Sequence, residues 1–279
     1  MSNSTPFISV ITAVYNGADY LPDLIESVQA QDFTDYEHII IDDGSTDDGA
    51  TIAVIEHYAA HDDRIKWWSR ENKGQYTTQN EALHAAQGNY VVVIAADDVF
   101  VIPGAFSVID ATIRNHPEHQ FIYGKTRRMT ESGDALPNIE LSWRPSRWLI
   151  KHVVYAQHCS VFVNRRFLVE NRLFFDESYR YAGDWDWLVR LFTTAKHIGY
   201  IKTPLSIIRM HMGQTSRSAT KNQIHAEHRR VSDTYGGSYR LHVLFTRLNN
   251  YRAMGLIALD TLRTQGIKAL WQRIKARTG

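Results

Sequence analysis

The sequence predicts an α/β fold: an open, mostly parallel sheet first, a mixed second half next, and a helical extension at the C-terminus. Three observations predict it. Short apolar runs of strand length alternate with helix-period segments through the first hundred residues, three of those runs end in polar clusters, and the rhythm breaks after Pro103. Residues 7–14 are the first strand, after which Leu21, Leu24, Ile25 and Val28 recur at the spacing of an amphipathic helix. Residues 37–43 follow as a strand centred on Ile39, Ile40 and Ile41, then a helix through Ile52, Ile55 and Tyr58. Residues 65–69 form a third strand, 77–86 a helix ended by Gly88, and 90–95 a nearly pure apolar fourth strand. Strands joined by helices of this length imply right-handed βαβ units, buried on both faces.

Beyond Pro103 a helix over 105–115 leads to a strand over 121–129. A turn at Glu131-Ser-Gly-Asp134 follows, which reads as a hairpin rather than a crossover. Further strands are expected at 158–163 and 198–210, around a helix beginning near Asp184. The expected division is therefore 1–215 as one domain, split at 103/104 into two halves, with 216–279 as a basic helical extension. Charge marks that last boundary. Residues 1–215 carry 19 Lys and Arg against 27 Asp and Glu, a net −8, and residues 216–279 carry 12 against 3, a net +9. The two parts are expected to meet different partners.

Composition excludes several classes. Hydrophobic residues make up 44% and charged residues 22% of 279, the balance of a globular protein rather than a disordered or fibrous one. The single cysteine, Cys159, can form no internal disulfide, which points to a reducing cytoplasm. No stretch reaches the ~20 apolar residues of a spanning helix, and the first apolar run is broken too early for a signal peptide. The 13 histidines are dispersed without zinc-site spacing.

Ligands of open α/β sheets bind beyond the carboxyl ends of the strands. Those ends read Ala13-Val-Tyr-Asn-Gly17, Asp42-Asp-Gly-Ser-Thr46 and Ala95-Ala-Asp-Asp98. Each alone is an ordinary turn or helix cap; together they put three polar clusters on one sheet edge. Asp97 and Asp98 repel one another and have no basic residue within five positions, so a divalent cation is the natural compensation. The chain has neither Gly-x-Gly-x-x-Gly after the first strand nor a P-loop, so a diphosphate bound here needs a metal in place of a backbone cradle. Oxygen ligands select Mg²⁺ or Mn²⁺.

The ordered set Val10-Ile-Thr-Ala-Val-Tyr-Asn-Gly17, Ile41-Asp-Asp-Gly-Ser-Thr-Asp47, Glu71-Asn-Lys-Gly-Gln75, Ala96-Asp-Asp98 with Pro103 beyond it, and Gly183-Asp-Trp-Asp-Trp187 resembles glycosyltransferase family 2. These are inverting enzymes with a Rossmann-like GT-A fold, and the resemblance spans roughly 6–215. It implies a nucleotide-sugar donor, expected to be UDP-linked, and a glycan or lipid-linked glycan acceptor in surface polysaccharide synthesis. Ala13 and Tyr15 would lie against the nucleotide, Asp43 would bond the base, Gln75 would touch the donor and Asp97 the ribose. Asp98 would hold Mn²⁺ or Mg²⁺, His211 would complete that site, and Asp184 would be the catalytic base. Two departures stand out: Ala96 occupies the first position of the usual Asp-x-Asp, and Tyr76-Thr-Thr78 stands where many relatives carry an acid.

Such a transfer needs charge relief for the leaving diphosphate, attack from the opposite face, and removal of a proton from the acceptor hydroxyl. A metal at Asp98 supplies the first and Asp184 the last, so one carboxylate suffices where a glycosidase needs two. Asp184 also suits a helix N-terminus, whose dipole favours its ionised form. Asp186 reads as structural and Trp187 as core, while Trp185 is a candidate sugar platform. His158 suits either an acceptor contact or the core. Cys159, in a strand without a base, is no nucleophile.

In the tail, Ile267, Leu270, Trp271 and Ile274 share a face while Lys268, Arg273, Lys275 and Arg277 fill the rest. That pattern suits peripheral contact with an anionic inner leaflet, or packing on the main domain. Two rivals remain. A nucleic-acid module would use the basic tail but lacks any motif to go with it; a non-catalytic nucleotide-sugar sensor would keep the fold without needing Asp184.

Overall fold

Four strands, Ile8–Val14 (β1), Tyr36–Asp42 (β2), Ile65–Ser69 (β3) and Tyr90–Val93 (β4), pair in parallel in the order β3-β2-β1-β4. Helices Leu21–Gln29 (α1), Ala50–Ala59 (α2) and Gln75–Ala85 (α3) connect them. This is a computed structural model; it describes residues 5–101, 103–136, 143–214 and 220–278, with backbone alone at 221, 253, 257, 260, 264–266 and 268–278. The register puts Ile8 opposite both Tyr36 and Tyr90. Every residue of β2 is buried, which is why Ile39, Ile40 and Ile41 run together at its centre rather than alternating, while the buried Glu37, His38 and Asp42 have hydrogen-bond partners. The expected stripe of α1 faces inward, with Leu21, Leu24, Ile25 and Val28 all at or below 1% exposure.

The second half turns antiparallel. Its elements are Val99–Phe100 (β5), Ala105–Asn115 (α4), Phe121–Thr130 (β6), Val161–Asn164 (β7), Arg165–Glu170 (α5), Gly183–Thr194 (α6) and Ile198–Met210 (β8). The eight-stranded sheet runs β3-β2-β1-β4-β7-β6-β8-β5, with β7 antiparallel to β4 and to β6, and β8 parallel to β6. The turn at 131–134 reverses the chain as expected, and Met129 bridges Ala135 in antiparallel fashion. The strand expected over 158–163 begins only at Val161. His158–Ser160 is a 3₁₀ turn instead, which tucks the Ser160 hydroxyl between those of Thr126 and Ser206. The two-residue β5 was not legible, being too short for any periodicity; it pairs Val99 with Ile207 and so carries Asp97 and Asp98 up to β8.

The C-terminal helices are Lys221–Thr234 (α7) and Tyr239–Thr278 (α8). Thr220 and Gln223 cap α7 reciprocally, which fixes where the helix starts. Both helices pack on α6: Val231 is fully buried, His242 stacks on Trp185 at 4.6 Å, and the Tyr235 hydroxyl donates to Asp186 at 2.7 Å. Of the tail residues expected to form an apolar face, Ile267 is 62% exposed. The side chains of Leu270, Trp271 and Ile274 lie outside the described residues, as do those of Lys268, Arg273, Lys275 and Arg277. No helix among the described residues is long and apolar enough to cross a membrane.

Candidate active site

The carboxyl ends of β1, β2 and β4 open on one edge, and the loops there bind one another. After β1 the chain turns at Asn16, whose φ of 49° is left-handed. Its side-chain oxygen accepts from the Thr46 N–H at 2.7 Å and its own N–H donates to the Ser45 hydroxyl at 2.8 Å. Tyr15 is thereby held at the rim, half-exposed, with its hydroxyl 3.3 Å from that of Thr46. Ala13 is partly open beside it.

Asp43 is buried, and its two oxygens accept the backbone N–H groups of Lys73 and Gly74, each at 2.9 Å. Its visible work is to fold the 72–75 loop against the strand ends; the lone pairs left over are what a base could use. Gly44, at φ 73°, makes that approach possible, since a Cβ there would stand 2.7 Å from the Asn72 nitrogen. Gln75 is exposed at the first turn of α3. Arg70, 3.4 Å from Asp43, brings a guanidinium to this rim that sequence reasoning did not single out; its signal was a basic residue immediately after a strand.

Asp97 and Asp98 stand where β4 gives way to β5. Asp98 is 5% exposed, and burial, then the charge of Asp97, push its carboxyl well above the usual range. His211, just beyond β8, faces the pair with Nε2 2.7 Å from an Asp97 oxygen, and its ring packs on Tyr20. The pair does have a basic neighbour, supplied by the fold rather than by nearby sequence. The Arg209 N–H donates to Asp98 at 3.1 Å, while its guanidinium goes to the Asp97 carbonyl, the Glu131 carbonyl and Asp23. Arg209 therefore relieves part of the repulsion that the sequence assigned wholly to a cation.

The donor set still fits a hard divalent ion. Two adjacent carboxylates and an imidazole are ligands Mn²⁺ and Mg²⁺ accept, and a carboxyl destabilised by burial is what a dication would restore to its ionised form. The three ligand atoms do not converge into a closed cage. Among the described residues, the group drawn within 4.8 Å of one another is His116, Glu118 and His119, on a different surface. Coordination completed by diphosphate and water is the usual habit of such ions.

Asp184 opens α6, with its side chain 29% exposed. Its carboxylate accepts the Trp185 N–H at 2.8 Å, and its own N–H donates to the Tyr76 hydroxyl at 3.2 Å. Burial raises its pKa, but the adjacent His158, the Trp185 N–H and His228 outweigh that, so the carboxyl lies below its ordinary value. His158 Nδ1 is 3.8 Å from the nearer Asp184 oxygen, an ion contact rather than a hydrogen bond, and neither ring nitrogen has a hydrogen-bond partner. A carboxylate kept ionised yet reachable is what the helix-start position was expected to give.

Two neighbours were not foreseen. Tyr76, in the segment where many relatives carry an acid, is a buried ring stacked on Phe175 that reaches from α3 to the backbone N–H of Asp184. Gly183 makes room for it, because a Cβ there would meet the Tyr76 ring at 2.6 Å. Trp185 is no sugar platform. It is fully buried, its indole N–H donating to the Ile150 carbonyl, and Trp187 is equally core, bonded to Leu173. Asp186 is structural as read, taking Arg190 and Tyr235. Cys159 is buried, and burial followed by the charge of Asp98 pushes its thiol up, so no thiolate forms.

The family model described as Glycosyl transferase family 2 matches residues 9–173. Chondroitin synthase from Escherichia coli is 31% identical over 201 residues, 70% of this chain and 28% of the relative. The chain spans between a fifth and a third of the length of the first curated relatives it matches. S. aureus TarS in complex with UDP-GlcNAc superposes with a TM-score of 0.67 at 22% identity, covering 82% of this chain and 66% of that one. The mannosyltransferase PcManGT from Pyrobaculum calidifontis, in complex with GDP-Man and Mn²⁺, gives 0.61 at 15%, covering 99% and 81%. The shared architecture is the GT-A fold. Sheet order, strand-end clusters and a family match across more than half its length agree, and the chain belongs to glycosyl transferase family 2.

Proposed function

We propose that the chain is a metal-dependent, inverting glycosyltransferase that moves a sugar from a nucleotide-linked donor to a hydroxyl of a glycan or lipid-linked glycan. The observation that carries this reading is Asp184: a part-exposed carboxylate at a helix N-terminus, held in its charged form, on an element that also borders the donor loop through Tyr76. A sensor of nucleotide sugars needs no such base. The complex of TarS with UDP-GlcNAc supports a UDP-linked donor, and the chondroitin synthase relative supports a polysaccharide product.

In this reading Tyr15 and Ala13 flank the nucleotide, Gln75 touches the donor, Asp43 fixes the loop that covers the base and offers it a remaining lone pair, and Asp97 orients the ribose. Asp98 and His211 would hold Mn²⁺ or Mg²⁺, whose charge neutralises the departing diphosphate; the Mn²⁺ in the Pyrobaculum mannosyltransferase supports this choice. Asp184 takes the acceptor hydroxyl's proton on its free carboxylate oxygen as that hydroxyl attacks from the face opposite the leaving group. Inversion at the anomeric carbon follows. A panel of nucleotide sugars with and without Mn²⁺, read by thermal melting, tests the reading. UDP-sugars should raise the midpoint in an Mn²⁺-dependent way, and a flat panel contradicts it.

We propose further that the distal part of α8 rests on an anionic inner leaflet, where the basic tail meets its counter-charge. Leu259, Leu262 and Ile267 are exposed large apolar side chains in a segment without an acid after Asp260, which supports that attachment. Sedimentation with vesicles rich in phosphatidylglycerol should pull down the full chain and leave behind a chain ending at Gly266; equal partitioning contradicts it.

A further inference from the structure

A cavity of about 490 Å³ lies between the sheet and the C-terminal helices. β6 and β8 form one side through Arg128 and Ile208, and α7 and α8 form the other. Its charge is one-sided and comes from two arginines: Arg128 and Arg247 line it beside His225, His228 and His242, burial holds the last two imidazoles below their ordinary pKa and so neutral, and no carboxylate lines it among the described residues. Apolar side chains such as Val153, Ile224 and Val243 complete the wall and thin the water around those charges.

The cavity lies close to Asp184, through residues that line it and residues next to them. Gln157 lines it, and the next residue, His158, is the one facing Asp184 at 3.8 Å. Trp185, next in sequence to Asp184, packs on both His242 and His228. Burial lowers the pKa of His228, with the Asp184 charge opposing, so the wall and the base sense one another.

A second observation points to a ligand. His242 is 7% exposed and lines the cavity, yet its Nδ1 has no hydrogen-bond partner, and Asn249 Oδ1, also at the cavity, has none. Buried polar atoms are ordinarily satisfied, and two orphans on one cavity wall are what a bound hydroxylated molecule would use. Tyr239, stacked on His242, adds a flat aromatic edge of the kind sugar faces prefer.

We infer that this cavity is the acceptor subsite and that it takes a saccharide bearing an anionic group, carboxylate or phosphate. The inference rests on the transferase reading of Asp184 and deepens it. Guanidinium groups bind such oxyanions by charge-assisted hydrogen bonds roughly twice as strong as neutral ones, whereas a neutral sugar forgoes that gain.

The test is calorimetric titration of the full chain, saturated with UDP and Mn²⁺, with methyl glucuronide, glucose 6-phosphate and methyl glucoside. One of the two anionic sugars should bind on the order of tenfold tighter than the neutral one, and which of them does so separates carboxylate from phosphate. Arg247→Gln, at an exposed helix position and with folding checked by melting, should remove that preference. Equal binding of all three sugars, binding by neither anionic sugar, or a preference that survives Arg247→Gln overturns the inference. UDP binding is read in the same experiment. If UDP binds and the preference is absent, only the assignment of the cavity falls; if UDP fails to bind, the transferase reading falls and takes this inference with it.

Discussion

Asp184 owes its charged state to what surrounds it. Burial alone would raise its pKa, and the opposing contribution comes chiefly from His158. Removing that neighbour in His158→Ala should raise the Asp184 pKa, moving the acid limb of the kcat/KM profile to higher pH; an unmoved limb would show that His158 does not tune the base. Linkage gives the same pair a stability signature. Because the folded-state pKa is depressed, ionised Asp184 adds stability above the ordinary carboxylate pKa near ~3.8, and that contribution is lost as pH falls through the lower folded value. Gly183 is the second sensitive residue. Gly183→Ala drives a methyl into the Tyr76 ring, so a loss of about 1–3 kcal/mol by thermal or urea melting is expected, together with a displaced base. The sequence could place Asp97 and Asp98 on one edge with the other strand ends, whereas Asp184, at a helix start, joined them only through the family resemblance. It could not show that Arg209 would reach Asp98 from 111 residues away, or that the Tyr76 hydroxyl would accept the backbone N–H of Asp184.

Among the elements, α6 is held from two sides. Its last two turns pack through Leu188, Leu191 and Phe192, as their spacing foretold, but its first turn depends on α7. Glu227 accepts the backbone N–H groups of Arg180, Tyr181 and Ala182, the residues leading into Asp184. Glu227→Ala leaves those donors without their partner and should destabilise the chain by about 1–3 kcal/mol while lowering transfer more than donor binding; melting and UDP titration check the two halves of that statement. Of the parallel strands, β1 and β4 were the most legible because burial on both faces writes them as nearly unbroken apolar text. β5 and the 3₁₀ turn at His158–Ser160 were not, since both are shaped by β8 and β6 rather than by their own residues.

On the scale of the whole molecule, the −8 and +9 charges do not simply divide the chain into two bodies. The basic extension lends α7 and the start of α8 to the cavity wall, and along α8 large apolar residues from Leu244 and Leu248 to Leu259 and Ile267 are exposed. One helix thus serves the proposed acceptor subsite at its beginning and the proposed membrane contact toward its end. Composition revealed the asymmetry; it could not reveal that the packing of Tyr235 on Asp186 would fold part of it back.

The account turns on one carboxylate removing one proton. Transfer from a UDP-sugar by Asp184→Asn, measured beside UDP affinity in the same preparation, tests that directly. The account predicts turnover lower by about 10²–10⁴-fold with UDP affinity in Mn²⁺ unchanged. Turnover within a few-fold of the unmodified chain would contradict it.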